Sequence, residues 1–453
     1  MLPHAAFCWV LVAGLLAFEQ NALATEAYVP EPMPPGVHVE ATDLDGPVFA
    51  DSQGHTLYRW EVQSPAAGGK SICGSERLTV SSILVSQVGG PGLYPETALP
   101  EPDLRPSCAE AWPPLLAADD ATAVGKWTIT TGPNGIRQWA YEDYPVTTSH
   151  LDTQPGDVFG GTVRWPGYAY NTGRAPSSVD RTPIGPAADV PPGFKVVSTQ
   201  LGRLLLTSTR MSVYTSDGDS PGKSNCTGAC TDTWIPLYAP RLARGHGAWS
   251  TIDRGSGIKQ WAFAGKPLYR NSLDTRHGSL EGTDVAGWKA ALVHATPAPP
   301  TGITVQQSPI GEVMADGRGR TVYMYNCIES TLEYLACDYP AATQAYRLAY
   351  CGNGDVDVCL RRWPLVPAAA DAKSTSRLWS VLWINPRTGH AAKADDPGAV
   401  RVWAYRNRPI YTYFKDKEPG DLNGDGIGEV FGSRNGWTAI RFRDSLYPSA
   451  FAD

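Results

Sequence analysis

Long apolar runs, excess positive charge and patterned histidine are all scarce in this sequence. Beyond residues 5–18 no apolar stretch approaches the roughly 20 residues that cross a bilayer as a helix, so no transmembrane segment is expected after that point. The 38 Lys and Arg are outnumbered by 45 Asp and Glu, leaving a net charge of −7 and making nucleic acid a poor partner. Eight His are present, but no H-x-H or H-E-x-x-H spacing occurs. No P-loop and no paired catalytic motif is apparent, so a non-enzymatic protein is expected. Extended helical periodicity is also missing, which excludes bundles and coiled coils.

What the chain does contain is turn formers: 46 Gly and 39 Pro punctuate short segments rich in Val, Tyr, Trp and Thr. That pattern predicts antiparallel strands joined by turns. The opening residues carry an apolar run followed by Ala22-Leu23-Ala24, an A-x-A cleavage signature, so residues 1–24 read as a secretory signal peptide. An exported protein, periplasmic or extracellular, follows from it.

The strongest signal is an internal repeat. Cys108-x3-Trp112, Cys230-x3-Trp234 and Cys359-x3-Trp363 each lead into a Pro and a Leu. Downstream stand Trp139-Ala140-Tyr141, Trp261-Ala262-Phe263 and Trp403-Ala404-Tyr405, each with Pro six residues after the Trp, at Pro145, Pro267 and Pro409. Asp152, Asp274 and Asp416 fall seven residues beyond each Pro, and Trp165, Trp288 and Trp437 read as closing tryptophans. The chain is therefore expected to be mostly β, as three tandem antiparallel modules, disulfide-stapled and joined by Pro-rich linkers that let them pack or swing. The boundaries are an N-terminal linker at 25–43, modules at 44–165, 196–291 and 305–445, and linkers at 166–195 and 292–304. The recurring Trp are expected to be core residues, because a small β module gains most from burying its largest side chains.

Cys8 falls in the signal peptide, leaving Cys73, Cys108, Cys226, Cys230, Cys327, Cys337, Cys351 and Cys359, an even number that predicts four disulfides in an exported chain. Their module positions pair Cys73 with Cys108, Cys226 with Cys230, Cys327 with Cys337 and Cys351 with Cys359. One metal candidate stands out. Asp421-Leu422-Asn423-Gly424-Asp425-Gly426 matches the first half of a calcium loop, with oxygen ligands at alternate positions and Glu429 at position nine; Gly432 stands where a bidentate Glu would close it. Asp421, Asn423, Asp425 and Glu429 are thus the candidate calcium ligands, against the alternative of an ordinary Gly/Asp turn. No other cofactor is indicated.

Tyr411-Thr412-Tyr413-Phe414-Lys415-Asp416, together with the Cys-x3-Trp anchors and Gln138-Trp139-Ala140-Tyr141, resembles the secreted repeat family described as predicted lipoproteins with a Yx(FWY)xxD motif. Tyr269 and Asp274 match that motif at its ends, while Thr147 replaces its Tyr in the first module, and no lipobox Cys is present. The family has no assigned activity, so the resemblance implies location and architecture. The functional expectation is a binding or scaffolding protein that meets an unknown extracytoplasmic protein or surface ligand. The alternative is an accessory in extracellular metal handling or electron transfer, suggested by the Asp421 loop and the abundant Tyr and Trp.

Overall fold

A computed structural model describes residues 26–43, 45–60, 108–132, 135–160, 181–274, 276–326, 351, 355–374, 376–387, 389, 391–427 and 436–444. The first repeat contains β1 (His38–Ala41), β2 (Pro47–Ala50), β3 (Tyr58–Trp60), β4 (Trp127–Thr131), β5 (Arg137–Tyr141), β6 (Tyr144–Thr147) and β7 (Arg181–Pro183). The second contains β8 (Phe194–Thr199), β9 (Gly202–Thr207), β10 (Tyr214–Ser216), β11 (Trp234–Pro236), β12 (Tyr238–Ala239), β13 (Trp249–Asp253), β14 (Lys259–Phe263), β15 (Lys266–Pro267), β16 (Tyr269–Asn271), β17 (Trp288–Ala290) and β18 (Leu292–Ala295). The third contains β19 (Ile303–Ser308), β20 (Gly311–Asp316), β21 (Tyr323–Asn326), β22 (Trp379–Ile384), β23 (Val400–Tyr405), β24 (Arg408–Tyr411), β25 (Gly436–Ala439) and β26 (Arg441–Asp444). Among the described residues helix is confined to short pieces, such as Cys108–Ala111, Cys230–Thr233 and Val356–Arg362. The protein is mostly β and every strand pairing is antiparallel.

The sheet order repeats. The first repeat runs β4-β5-β6-β3-β7 and the third runs β22-β23-β24-β21-β25, while the second divides the same path into β11-β16-β10-β17 and β12-β14-β13 with β15 on β14. A smaller sheet accompanies each: two-stranded β1-β2, then three-stranded β18-β9-β8 and β19-β20-β26. The Cys-x3-Trp-Pro anchor ties the path together by touching two strands. Pro114 bridges Thr147 and Leu116 bridges Gln138, as Leu365 bridges Tyr411 and Pro367 bridges Val402.

Turn chemistry fixes the central hairpins. Glu142 and Asp143, Ala264 and Gly265, and Arg406 and Asn407 all have positive φ, between 46° and 78°. Two-residue loops of this kind match the right-handed twist of the strands they join, so each side of the hairpin stays in register. Against these sheets the Trp residues form the cores: Trp127 and Trp139 with Phe49 and Tyr141, Trp249 and Trp261 with Phe194, and Trp379 and Trp403 with Tyr405. Phe49, for instance, meets Trp127 edge-on at 5.3 Å.

Three stretches read from the sequence as linkers carry strands. β1 lies inside the expected N-terminal linker, and β18 inside the expected 292–304 linker. β7 falls within 166–195 and pairs with β3, placing Arg181 opposite Trp60 as Trp288 stands opposite Ser216 and Trp437 opposite Tyr325. Arg181, then, occupies the register position expected for Trp165, which itself lies outside the described residues. Proline masked this strand: Pro183 is tolerated because β7 is, among the described residues, the outermost strand of its sheet.

The repeats also touch. Tyr405 donates to Gln200, the Arg406 guanidinium lies 3.5 Å from Asp45, and the Arg377 backbone N–H donates to Asp43 at 2.6 Å. Residues 26–31 join this packing: Glu26 takes two bonds from Arg203, at 2.8 and 3.0 Å, Val29 N–H donates to Ala187, and Tyr141 donates to Glu31.

Candidate functional site

The recurring acids meet a partner that sequence spacing did not reveal. Tyr58 donates its hydroxyl to Asp152 at 2.7 Å, Tyr214 to Asp274 at 2.8 Å, and Tyr323 to Asp416 at 2.6 Å. Each Tyr opens the strand second from one edge of its sheet, β3, β10 or β21, and each acid follows the strand paired with it. Both partners are buried in every copy. A Trp of the Cys-x3-Trp anchor lies edge-on to each Tyr: Trp112 on Tyr58 at 5.6 Å, Trp234 on Tyr214 at 5.4 Å, Trp363 on Tyr323 at 5.4 Å. In the second and third copies that Trp stacks face to face on the closing Trp, Trp234 on Trp288 at 3.7 Å and Trp363 on Trp437 at 3.8 Å.

A glycine completes each cell, eight residues after the acid. A Cβ on Gly160 would stand 2.4 Å from Ser149, on Gly282 2.6 Å from Tyr214, and on Gly424 2.8 Å from Trp363. No side chain larger than hydrogen fits there. Sequence held the signal for this cell in the Leu57-Tyr58, Val213-Tyr214 and Val322-Tyr323 dipeptides and in the Asp-to-Gly interval, but not the pairing, which spans 60 to 94 residues.

Burial sets the electrostatics. It pushes the Asp152 carboxyl up to about 7 and that of Asp274 up to about 6, with the Tyr hydroxyl opposing the shift in each case; Asp416 moves upward for the same reason. Tyr58, Tyr214 and Tyr323 are raised by burial and then by the facing carboxylate. These are buried acid and phenol pairs held by donors, with no nucleophile aligned on a base. Gly218-Asp219-Ser220-Pro221-Gly222 has the spacing of a nucleophile elbow, but Ser220 sits in an exposed turn bridged to Lys223 and leads into no helix.

The expected calcium ligands have other partners. The Asp421 carboxylate accepts from the Lys417 and Glu418 backbone, Asn423 donates to Asp416, and Asp425 accepts from Ala439 at 2.8 Å and faces Arg441. Asp421 repeats the role of Asp157, which accepts from Thr153 and Gln154. Glu429 lies outside the described residues. Among the described residues no three His, Cys, Asp or Glu side chains group as a metal site would. Cys226–Cys230 and Cys351–Cys359 are disulfides, with Cα atoms 5.3 and 4.8 Å apart. Cys73, Cys327, Cys337 and the side chain of Cys108 lie outside the described residues.

The Yx(FWY)xxD residues are therefore fold-forming in the third copy. Tyr411 meets Trp437 at 4.6 Å, Tyr413 meets Trp363 at 4.4 Å, and Asp416 receives Tyr323. Among the described residues no helix is long and apolar enough to cross a membrane. No curated protein and no solved structure matches the chain. Residues 195–238, which carry Tyr214 and Trp234, and residues 395–433, which carry Asp416 and Gly424, match a known family described as a secreted repeat of unknown function.

Proposed function

We propose that the chain is an exported, non-enzymatic binding or scaffolding protein whose repeats present the same contact to an extracytoplasmic partner. The observation that carries this reading is a recurring exposed apolar residue. Ile136, Ile258 and Val400 stand at equivalent places, at or just ahead of the first residue of β5, β14 and β23, and all three are exposed. Leu116 and Tyr238, both exposed, occupy equivalent bridge positions to Gln138 and Gln260 on those strands. The buried polar cells have all their recurring chemistry turned inward, so recognition falls to this outer surface. Several copies of a weak contact gain strength by linkage, which is the physical advantage of repeating it.

The test replaces Ile136, Ile258 and Val400 by Asp, singly and together, and follows partner capture from the native exported fraction by crosslinking. Stepwise loss as more copies are altered supports the reading. Equal capture by wild type and the triple variant, with melting unchanged, overturns it.

A further inference from the structure

Two of the three cells satisfy both oxygens of the buried acid, and the second does not. Asp152 Oδ1 accepts from the Phe159 N–H at 2.8 Å and Asp416 Oδ1 from the Asn423 N–H at 3.0 Å. The equivalent donor for Asp274, seven residues on, is the N–H of Glu281. There the chain turns as a 3₁₀ helix, Glu281–Asp284, with Thr283 N–H committed to Leu280 O, and the Glu281 N–H is not delivered. Asp274 Oδ1 is consequently buried without a partner, on a residue only 7% exposed.

It is not alone. Ser279 Oγ and Ser212 Oγ, on residues 2% and 0% exposed, also lack partners, as does the buried Oε2 of Glu281. The first and third copies place Thr56 and Thr321 where Ser212 stands, and both spend their hydroxyls on the carbonyls of Asp157 and Asp421. Tyr214 ties the group together by reaching both Asp274 Oδ2, at 2.8 Å, and the Ser279 carbonyl, at 2.9 Å. The Glu281 charge lies near enough to act on Asp274 and Tyr214 alike. Its other oxygen accepts from Arg276 at 2.6 Å, and its side chain is partly exposed, leaving a route from solvent.

A buried acceptor left unsatisfied is destabilising, and several together favour a donor or a cation among them. Two carboxylate oxygens and hydroxyls, with no nitrogen or sulfur, form the donor set of a hard cation, and calcium accepts such irregular oxygen sets with water completing the shell. We propose that the second repeat binds a calcium ion between Asp274 Oδ1, Glu281 Oε2 and Ser279 Oγ, at a site distinct from the Asp421 to Glu429 loop.

Terbium in place of calcium reads this directly, because Tyr214 adjoins the site and sensitises lanthanide emission when excited in the ultraviolet. The full chain is titrated with terbium, then challenged with calcium, alongside Glu281→Gln and Asp425→Ala. Glu281→Gln leaves the Tyr214 to Asp274 bond in place, so melting in metal-free buffer should match wild type. Saturable emission displaced by calcium, weakened about ten-fold or more by Glu281→Gln and unchanged by Asp425→Ala, is the expected result. Loss in Asp425→Ala with retention in Glu281→Gln would move binding to the 421–429 loop and overturn the proposal. Absence of emission and of any calcium-induced rise in melting would also overturn it, leaving a buried water at Asp274.

Discussion

The second and third repeats build the same cell and finish it differently. In the third, the stacked Trp363 and Trp437 are both essentially inaccessible, the Cys351–Cys359 disulfide is sealed beneath them, and Tyr411 and Tyr413 close the sides. In the second, Trp288 and Cys230 reach partly to solvent and the acid keeps an unfilled oxygen. The shared parts, Tyr to Asp with Trp against Tyr and a Gly between, are what the sheets need to close. The unshared parts lie in the loop after the acid, where one peptide group turned away changes a sealed cell into one that can accept something.

Truncating the stacks should separate the two most. Trp437→Ala is expected to cost about 5 kcal/mol and Trp288→Ala about 3, since Trp288 gives up less buried area. Denaturant unfolding of both variants measures it, and equal losses would mean that the two cells are energetically alike. The acids should divide next. Asp416→Asn puts an amide against the Asn423 donors and should cost about 1–3 kcal/mol, whereas Asp274→Asn in calcium-free buffer meets no such donor and should cost under about 1.

A smaller effect is expected from pH. Asp152 and Asp274 titrate near 7 and 6 in the folded chain against about 3.9 when unfolded, so the folded state binds more protons between those limits. Their stabilising contribution is complete below about pH 4 and is lost as pH rises through about 6 and 7. Asp152→Asn should flatten the fall in melting temperature across that window, and parallel curves for variant and wild type would contradict it. The smallest change is at the surface: Arg59 and Glu142, 2.7 Å apart but substantially exposed, should contribute under about 1 kcal/mol in a double-mutant cycle.

Much of this cell was legible in the sequence, and the illegible part has a physical reason. Trp112, Trp234 and Trp363 were marked by their distance from a Cys, and Asp152, Asp274 and Asp416 by their distance from a Pro, because such intervals follow from local strand and turn lengths. The hydroxyls that meet those acids were not, since Tyr58 and Asp152 are brought together by sheet pairing across 94 residues. Asp421 reads as a calcium ligand in sequence and in the fold accepts the Lys417 and Glu418 amides, two roles that occupy similar Gly-rich sequence. The central hairpins were missed for a related reason: Glu142-Asp143 and Arg406-Asn407 adopt positive φ without the glycine that announces it. Proline in β7 suggested a linker, and only its place at a sheet edge reveals otherwise.

The bonds of residues 26–31 bear on the order in which the chain comes to rest. Glu26 pairs with Arg203 across 177 positions, and Glu31 with Tyr141 across 110. In a chain delivered from its N-terminus, those first residues emerge long before their partners exist, and loop closure over such distances is slow. Residues 26–31 are thus expected to seat late, on a β9 that is already in place.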